Sequence, residues 1–154
     1  MEKITVEGFR LIGLELAKKT SNVNGQSSID CGRLWQQFEE EQVADRIPGR
    51  QDDAVYAVYY DYEGDYTQPF SYFIGCKVAT ETVVPPGLQA LVLPLQNYLK
   101  IVAKGRIPDC IANAWKNIWQ SAAPRSYGYD FEVYGNRSQD WNDAEVEIFL
   151  SISS

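Results

Sequence analysis

Positions 54 to 62 read Ala54-Val55-Tyr56-Ala57-Val58-Tyr59-Tyr60-Asp61-Tyr62. Such β-branched and aromatic residues favour extended chain, and successive side chains of a strand point to opposite faces. Tyr56, Val58 and Tyr60 therefore share one face, and Val55, Ala57 and Tyr59 share the other. A strand with one wet face alternates apolar with polar residues; this one does not, so both of its faces must be covered. Packed helices or a ligand cavity would serve.

The other elements can be placed around this strand. Residues 3 to 16 are apolar and β-branched and read as one strand, with Gly8 and Gly13 marking a bulge or bend. A polar stretch from 20 to 27 precedes a helix with Cys31, Leu34, Trp35 and Phe38 on its apolar face, for which Ser28 or Asp30 is the expected cap. After the 54–62 strand, Asp61, Glu63, Gly64 and Asp65 make a turn and 70–78 returns as a partner strand. Beyond Val84-Pro85-Pro86-Gly87, residues 88–95 and 98–103 read as two more strands. Ile107, Ile111, Ala114, Trp115, Ile118, Trp119 and Ala122 then follow helical spacing, with Pro108 and Asp109 suited to a helix start. Two last strands, 129–134 and 144–152, flank a polar turn.

The order is β-α-β-β, an extra strand, and β-α-β-β again. The expectation is an α+β fold of duplicated β-α-β-β units with pseudo-twofold symmetry, an antiparallel sheet and a ligand cleft between the repeats. At 154 residues the chain fits a single domain, 1–154, with one repeat at about 3–80 and the other at about 88–153. The halves show no obvious sequence identity.

Composition narrows the chemistry. The net charge of −7 repels phosphate backbones and anionic headgroups, which disfavours direct nucleic-acid binding and membrane binding. No apolar run is long enough for a membrane span or a signal-peptide core, so a cytoplasmic location is expected. The chain has no histidine, which removes the commonest general base and metal ligand. Cys31, Cys76 and Cys110 lack metal or redox spacing. No metal and no cofactor is expected. Ten tyrosines, four tryptophans and six phenylalanines carry large apolar bodies, and the Tyr and Trp among them polar tips suited to lining a pocket.

One acidic residue stands among these aromatics: Glu132, in Tyr129-Asp130-Phe131-Glu132-Val133-Tyr134. Alternation puts it on one face with Asp130 and Tyr134, and by pattern alone a solvent-facing carboxylate is the simpler reading.

The chain also resembles the effector-binding domains of AraC-type and MerR-type bacterial regulators, the GyrI-like small-molecule-binding family. The likeness spans nearly the whole chain. It rests on 56–61, the spaced Tyr72, Gly75 and Val78, the run from Val84 through Tyr98, Lys104-Gly105, Ala114-Trp115, Ile118-Trp119, 131–134 and 145–149. It implies a cleft in which cationic, lipophilic or aromatic small molecules bind, with Glu132 contacting the charge. The residues it marks for the site are Glu132, Tyr134, Tyr56, Tyr60, Trp115 and Trp119, with Glu147 secondary and Tyr72 and Trp35 weaker candidates. No helix-turn-helix is read in the chain, so the expectation is a sensor without its own DNA reader, serving a regulator or another protein partner. The resemblance also carries two alternatives: a hydrolase of small electrophilic compounds using the pocket glutamate, and a protein–protein inhibitor module.

Overall fold

The computed structural model describes residues 2–153, with the backbone alone of Arg137. The elements are β1 (Glu2–Val6), β2 (Phe9–Glu15), α1 (Gln26–Glu40), α2 (Val43–Arg46), β3 (Val55–Tyr60), β4 (Ser71–Val78), β5 (Gln89–Leu93), β6 (Gln96–Gly105), α3 (Asp109–Gln120), β7 (Asp130–Tyr134) and β8 (Ala144–Ile152). All eight strands form one sheet in the order β1-β6-β8-β7-β3-β4-β2-β5, and every pairing is antiparallel.

Outward from the centre, β3 matches β7, β4 matches β8, β2 matches β6, and β5 matches β1. The fold is α+β and duplicated about an axis between β3 and β7, and each repeat has gained a leading strand. Those leading strands are exchanged: β1 pairs with β6 of the second repeat, and β5 pairs with β2 of the first.

The single strand expected over 3–16 is thus two strands in distant parts of the sheet. The cause is the link through Glu7 and Gly8. From Val6 to Phe9 the chain spans at most about 11 Å, yet β1 and β2 would lie roughly 29 Å apart in a flat sheet of this order. The sheet must roll, and the rings of Phe9 on β2 and Phe131 on β7 accordingly meet at 5.4 Å. The matching link from β5 to β6 crosses at the same place. A Cβ on Gly8 would lie 2.9 Å from the Leu93 carbonyl oxygen. Gly13, paired with Gly75, allows a second close approach: a Cβ there would sit 1.9 Å from the Ile74 oxygen.

The rolled interior is filled by Phe9, Leu11, Tyr56, Val58, Phe73, Tyr98, Phe131 and Phe149, so the face of β3 that carries Tyr56 is buried. Both long helices cover the outer face. α1 buries Leu34 and Phe38 against Ile12, Ile74 and Cys76. α3 buries Ile111, Trp115 and Ile118 against Val146, Ile148 and Leu150. α3 starts where its spacing predicts. α1 starts earlier than expected, because the turn 23–25, with Asn24 and Gly25 at positive φ, already winds the chain. Asp30 then lies inside the helix and accepts hydrogen bonds from Thr20 and Gln26. Cys31, Cys76 and Cys110 are free thiols. No described helix is long and apolar enough to cross a membrane.

Candidate functional site

The two repeats meet where β3 runs antiparallel to β7, with Val55 opposite Tyr134, Tyr56 opposite Val133, Ala57 opposite Glu132 and Val58 opposite Phe131. Tyr56-Ala57-Val58-Tyr59 thus lies against Phe131-Glu132-Val133-Tyr134, and the second tetrad echoes the first. Ala57 and Glu132 face each other across the pseudo-twofold axis on the helix-covered side. Tyr59 and Tyr134, two residues on, occupy equivalent places. The helices tie the halves together by reaching across: Trp115 of α3 packs on Tyr59 at 5.0 Å, and Trp35 of α1 packs on Tyr134 at 4.9 Å.

Under these rings Glu132 is 1% exposed. Its Oε2 accepts hydrogen bonds from the Tyr59 hydroxyl at 2.8 Å and from Trp115 Nε1 at 2.6 Å. Its Oε1 accepts one from the Tyr134 hydroxyl at 2.7 Å. An outer layer supports these donors: Tyr72 packs edge-on against Tyr59 at 4.9 Å, and its hydroxyl accepts from Trp35 Nε1 at 2.8 Å. Tyr59, Tyr134 and Trp35 each keep part of their surface exposed, so the cage roof meets solvent while its carboxylate does not.

No lysine or arginine forms an ion pair with Glu132 among the described residues. Hydrogen bonds to the charged form of a carboxylate favour it, whereas taking it out of water disfavours it. Burial outweighs the three donors and raises the Glu132 pKa above its ordinary value of 4.5. Burial, and next the charge of Glu132, push Tyr59, Tyr72 and Tyr134 well above the usual tyrosine range.

Asp130, on the same strand face, is also closed off at 0% exposure, but its surroundings are of another kind. Its Oδ1 accepts from the Ser151 backbone N–H and hydroxyl, both at 2.7 Å. Its Oδ2 accepts from the Tyr62 hydroxyl at 2.7 Å and pairs with the Arg125 guanidinium at 2.9 Å. Arg125 in turn sits against the rings of Tyr127, Trp115 and Tyr62.

The structure brings Glu132, Tyr134, Trp115 and Tyr72 into one cluster, with Trp35. Tyr56 and Tyr60, expected as pocket wall, lie on the opposite face in the rolled interior. The register is the reason: Ala57 faces Glu132, so residues an even number away, Val55 and Tyr59, share its side. Tyr59 holds the place expected of them. Glu147 is opposite Val133, on the face turned away from Glu132, and pairs with Lys100 at 2.6 Å. Trp119, one turn beyond Trp115, stacks on Tyr66 at 5.5 Å and does not touch the carboxylate. The signal that points to Tyr59 is the echo between 56–59 and 131–134. Two surface hollows, of about 310 and 490 Å³, lie away from Glu132. Among the described residues no group of three or more Cys, Asp or Glu is placed to hold a metal ion.

The fold is a duplicated α+β sheet with a buried acid at its seam, and comparison with known proteins shows the class of domain. Residues 4–152 match the family model Cass2, described as integron-associated effector binding protein, and the chain belongs to that family. Over 142 residues it is 23% identical to YobU of Bacillus subtilis (strain 168), whose name places it among transcriptional regulators; the match covers 89% of each chain. An integron cassette protein from Vibrio cholerae superposes with a TM-score of 0.72 at 22% identity, over 99% of this chain and 95% of the other. SAV2435, solved bound to tetraphenylphosphonium, gives a TM-score of 0.78 at 15% identity, over 99% and 93%.

Proposed function

We propose that the seam at Glu132 binds lipophilic cations as effectors, and that the bound cation is the signal passed to a regulatory partner. The observation that carries this reading is a buried carboxylate held by three neutral donors and, among the described residues, by no ion pair. Neutral donors hold the charge without cancelling it, so an organic cation gains Coulombic attraction that poorly hydrated surroundings do not screen. Each ring of the cage adds cation–π attraction of roughly 0.5–2 kcal/mol. Flat aromatic walls also accept ligands of different outline. The ligand of SAV2435, tetraphenylphosphonium, is such a cation, and that supports the reading. Because Tyr59, Tyr134 and Trp35 roof the acid, a ligand has to turn at least one of these rings aside to reach it.

The test is a titration followed by the fluorescence of Trp35 and Trp115, using tetraphenylphosphonium, neutral triphenylphosphine oxide and anionic tetraphenylborate. Saturable binding of the cation alone, weakened roughly 30-fold in Glu132→Gln, is expected. Equal binding of all three, or an unchanged affinity in Glu132→Gln, sinks the proposal.

A further inference from the structure

At one end of the same central strands, beyond the cage, lies a hollow of about 490 Å³ lined by Tyr60, Asp61, Tyr62, Tyr127 and Tyr129. It opens on the surface, and the seam reading leaves it without a role. Tyr60 and Tyr129 lie parallel, 5.6 Å apart at 8°. Tyr62 and Tyr127 meet edge to face at 5.4 Å and 75°. On each wall one residue other than glycine takes a left-handed backbone: Asp61 at φ 52 and Tyr127 at φ 53. Such conformations persist where surrounding structure enforces them, and they gather at ligand sites.

The charges around the hollow are predominantly acidic. Asp61, 67% exposed at its side chain, and Glu63 share Lys19, at 3.4 and 3.5 Å. The Tyr60 hydroxyl donates to Glu15 at 2.6 Å. Arg125, 4.2 Å from the Tyr127 ring, is matched by Asp130. Those contacts set the carboxylates of Glu15, Asp61, Glu63 and Asp130 against the cations of Lys19 and Arg125.

We infer that this tyrosine hollow is a second binding site, for planar aromatic cations, separate from the seam. Tyr60 and Tyr129 stack on each other, and a flat aromatic ligand extends that stack on Tyr129, the ring of the pair that keeps part of its surface exposed; the excess of carboxylates selects positive charge. The site does not depend on Glu132, so the two readings fail separately.

Equilibrium dialysis of the Glu132→Gln protein against thioflavin T, a flat aromatic cation, and 2-naphthoate, a flat aromatic anion, tests it. Thioflavin T is expected to bind at one site in this background, about tenfold more weakly after Tyr129→Ala and about threefold more weakly after Asp61→Asn. Asparagine tolerates the left-handed backbone at position 61, so that variant keeps its fold. 2-Naphthoate is expected not to bind. Absence of thioflavin T binding in Glu132→Gln overturns the inference. So does binding unaffected by both added substitutions, or 2-naphthoate binding as tight as that of the cation.

Discussion

Asp130 and Glu132 stand two residues apart on one face of β7, both shut away from solvent, and the protein neutralises them differently. Asp130 has a permanent cation, Arg125, and a β8 backbone N–H to anchor. Glu132 has two hydroxyls and an indole. The first arrangement pairs the carboxylate with a fixed cation, whose Nε and Nη1 make no hydrogen bond. The second leaves a charge that neutral dipoles only partly satisfy. Burial alone therefore does not separate the two acids; the presence or absence of a counter-charge does.

The sharpest way to break this contrast is Asp130→Asn. It leaves the Arg125 guanidinium buried and unpaired, and a loss of about 3–5 kcal/mol in urea unfolding is expected. Adding Arg125→Met should recover most of that loss. A double variant no more stable than the single one would show that the ion pair is not the cause.

Glu132→Gln is expected to behave oppositely. Stability should change by no more than about 1 kcal/mol, because the amide oxygen still accepts hydrogen bonds, while affinity for tetraphenylphosphonium drops by about 2 kcal/mol, roughly 30-fold. A stability loss as large as that of Asp130→Asn would erase the distinction.

Acidity tests the same residue from the other side. The folded-state pKa of Glu132 is raised above 4.5, so the folded protein keeps a proton there that the unfolded chain has released. That contribution is fully present below pH 4.5 and is lost as pH rises through the higher folded value. The stability of the wild type relative to Glu132→Gln should thus fall with rising pH over this window, by at most about 1.4 kcal/mol per pH unit. Cation affinity should rise over the same window. A flat difference across pH 4–8 would contradict the raised pKa.

The smallest effect is expected from Tyr134→Phe, which removes one donor and leaves the ring in place. A cost of about 1 kcal/mol at neutral pH and a further rise in the Glu132 pKa, read by NMR titration of the side-chain carbon, are the expected outcomes. An unchanged pKa would mean that the Tyr134 hydroxyl does not share the charge.

Much of the fold is legible in the sequence because its signals are local. The apolar residues on both faces of 54–62 call for cover on both sides, and the spacing from Ile107 to Trp119 specifies α3. The break at Gly8 is not legible. It is set by pairing between β1 and β6, some ninety residues apart, and no local pattern registers it. The start of α1 is misread because Ser28 and Asp30 are good caps, but the turn at 23–25 comes first. At the site, Glu132, Tyr134 and Trp115 are recoverable from the family likeness. Alternation does not give Tyr59, because with bulky residues on both faces of β3 it cannot say which face meets the acid. The echo between 56–59 and 131–134 points to it, and the register with β7 decides.

Ala57, directly opposite Glu132, keeps that pair to a single charge. A glutamate at position 57 would set carboxylate against carboxylate across the axis. Carboxylates so close cannot both ionise; they would share a proton and satisfy each other. The halves of the sheet match in architecture and differ at this pair, and the difference leaves the acid at the seam with no second acid to share its proton.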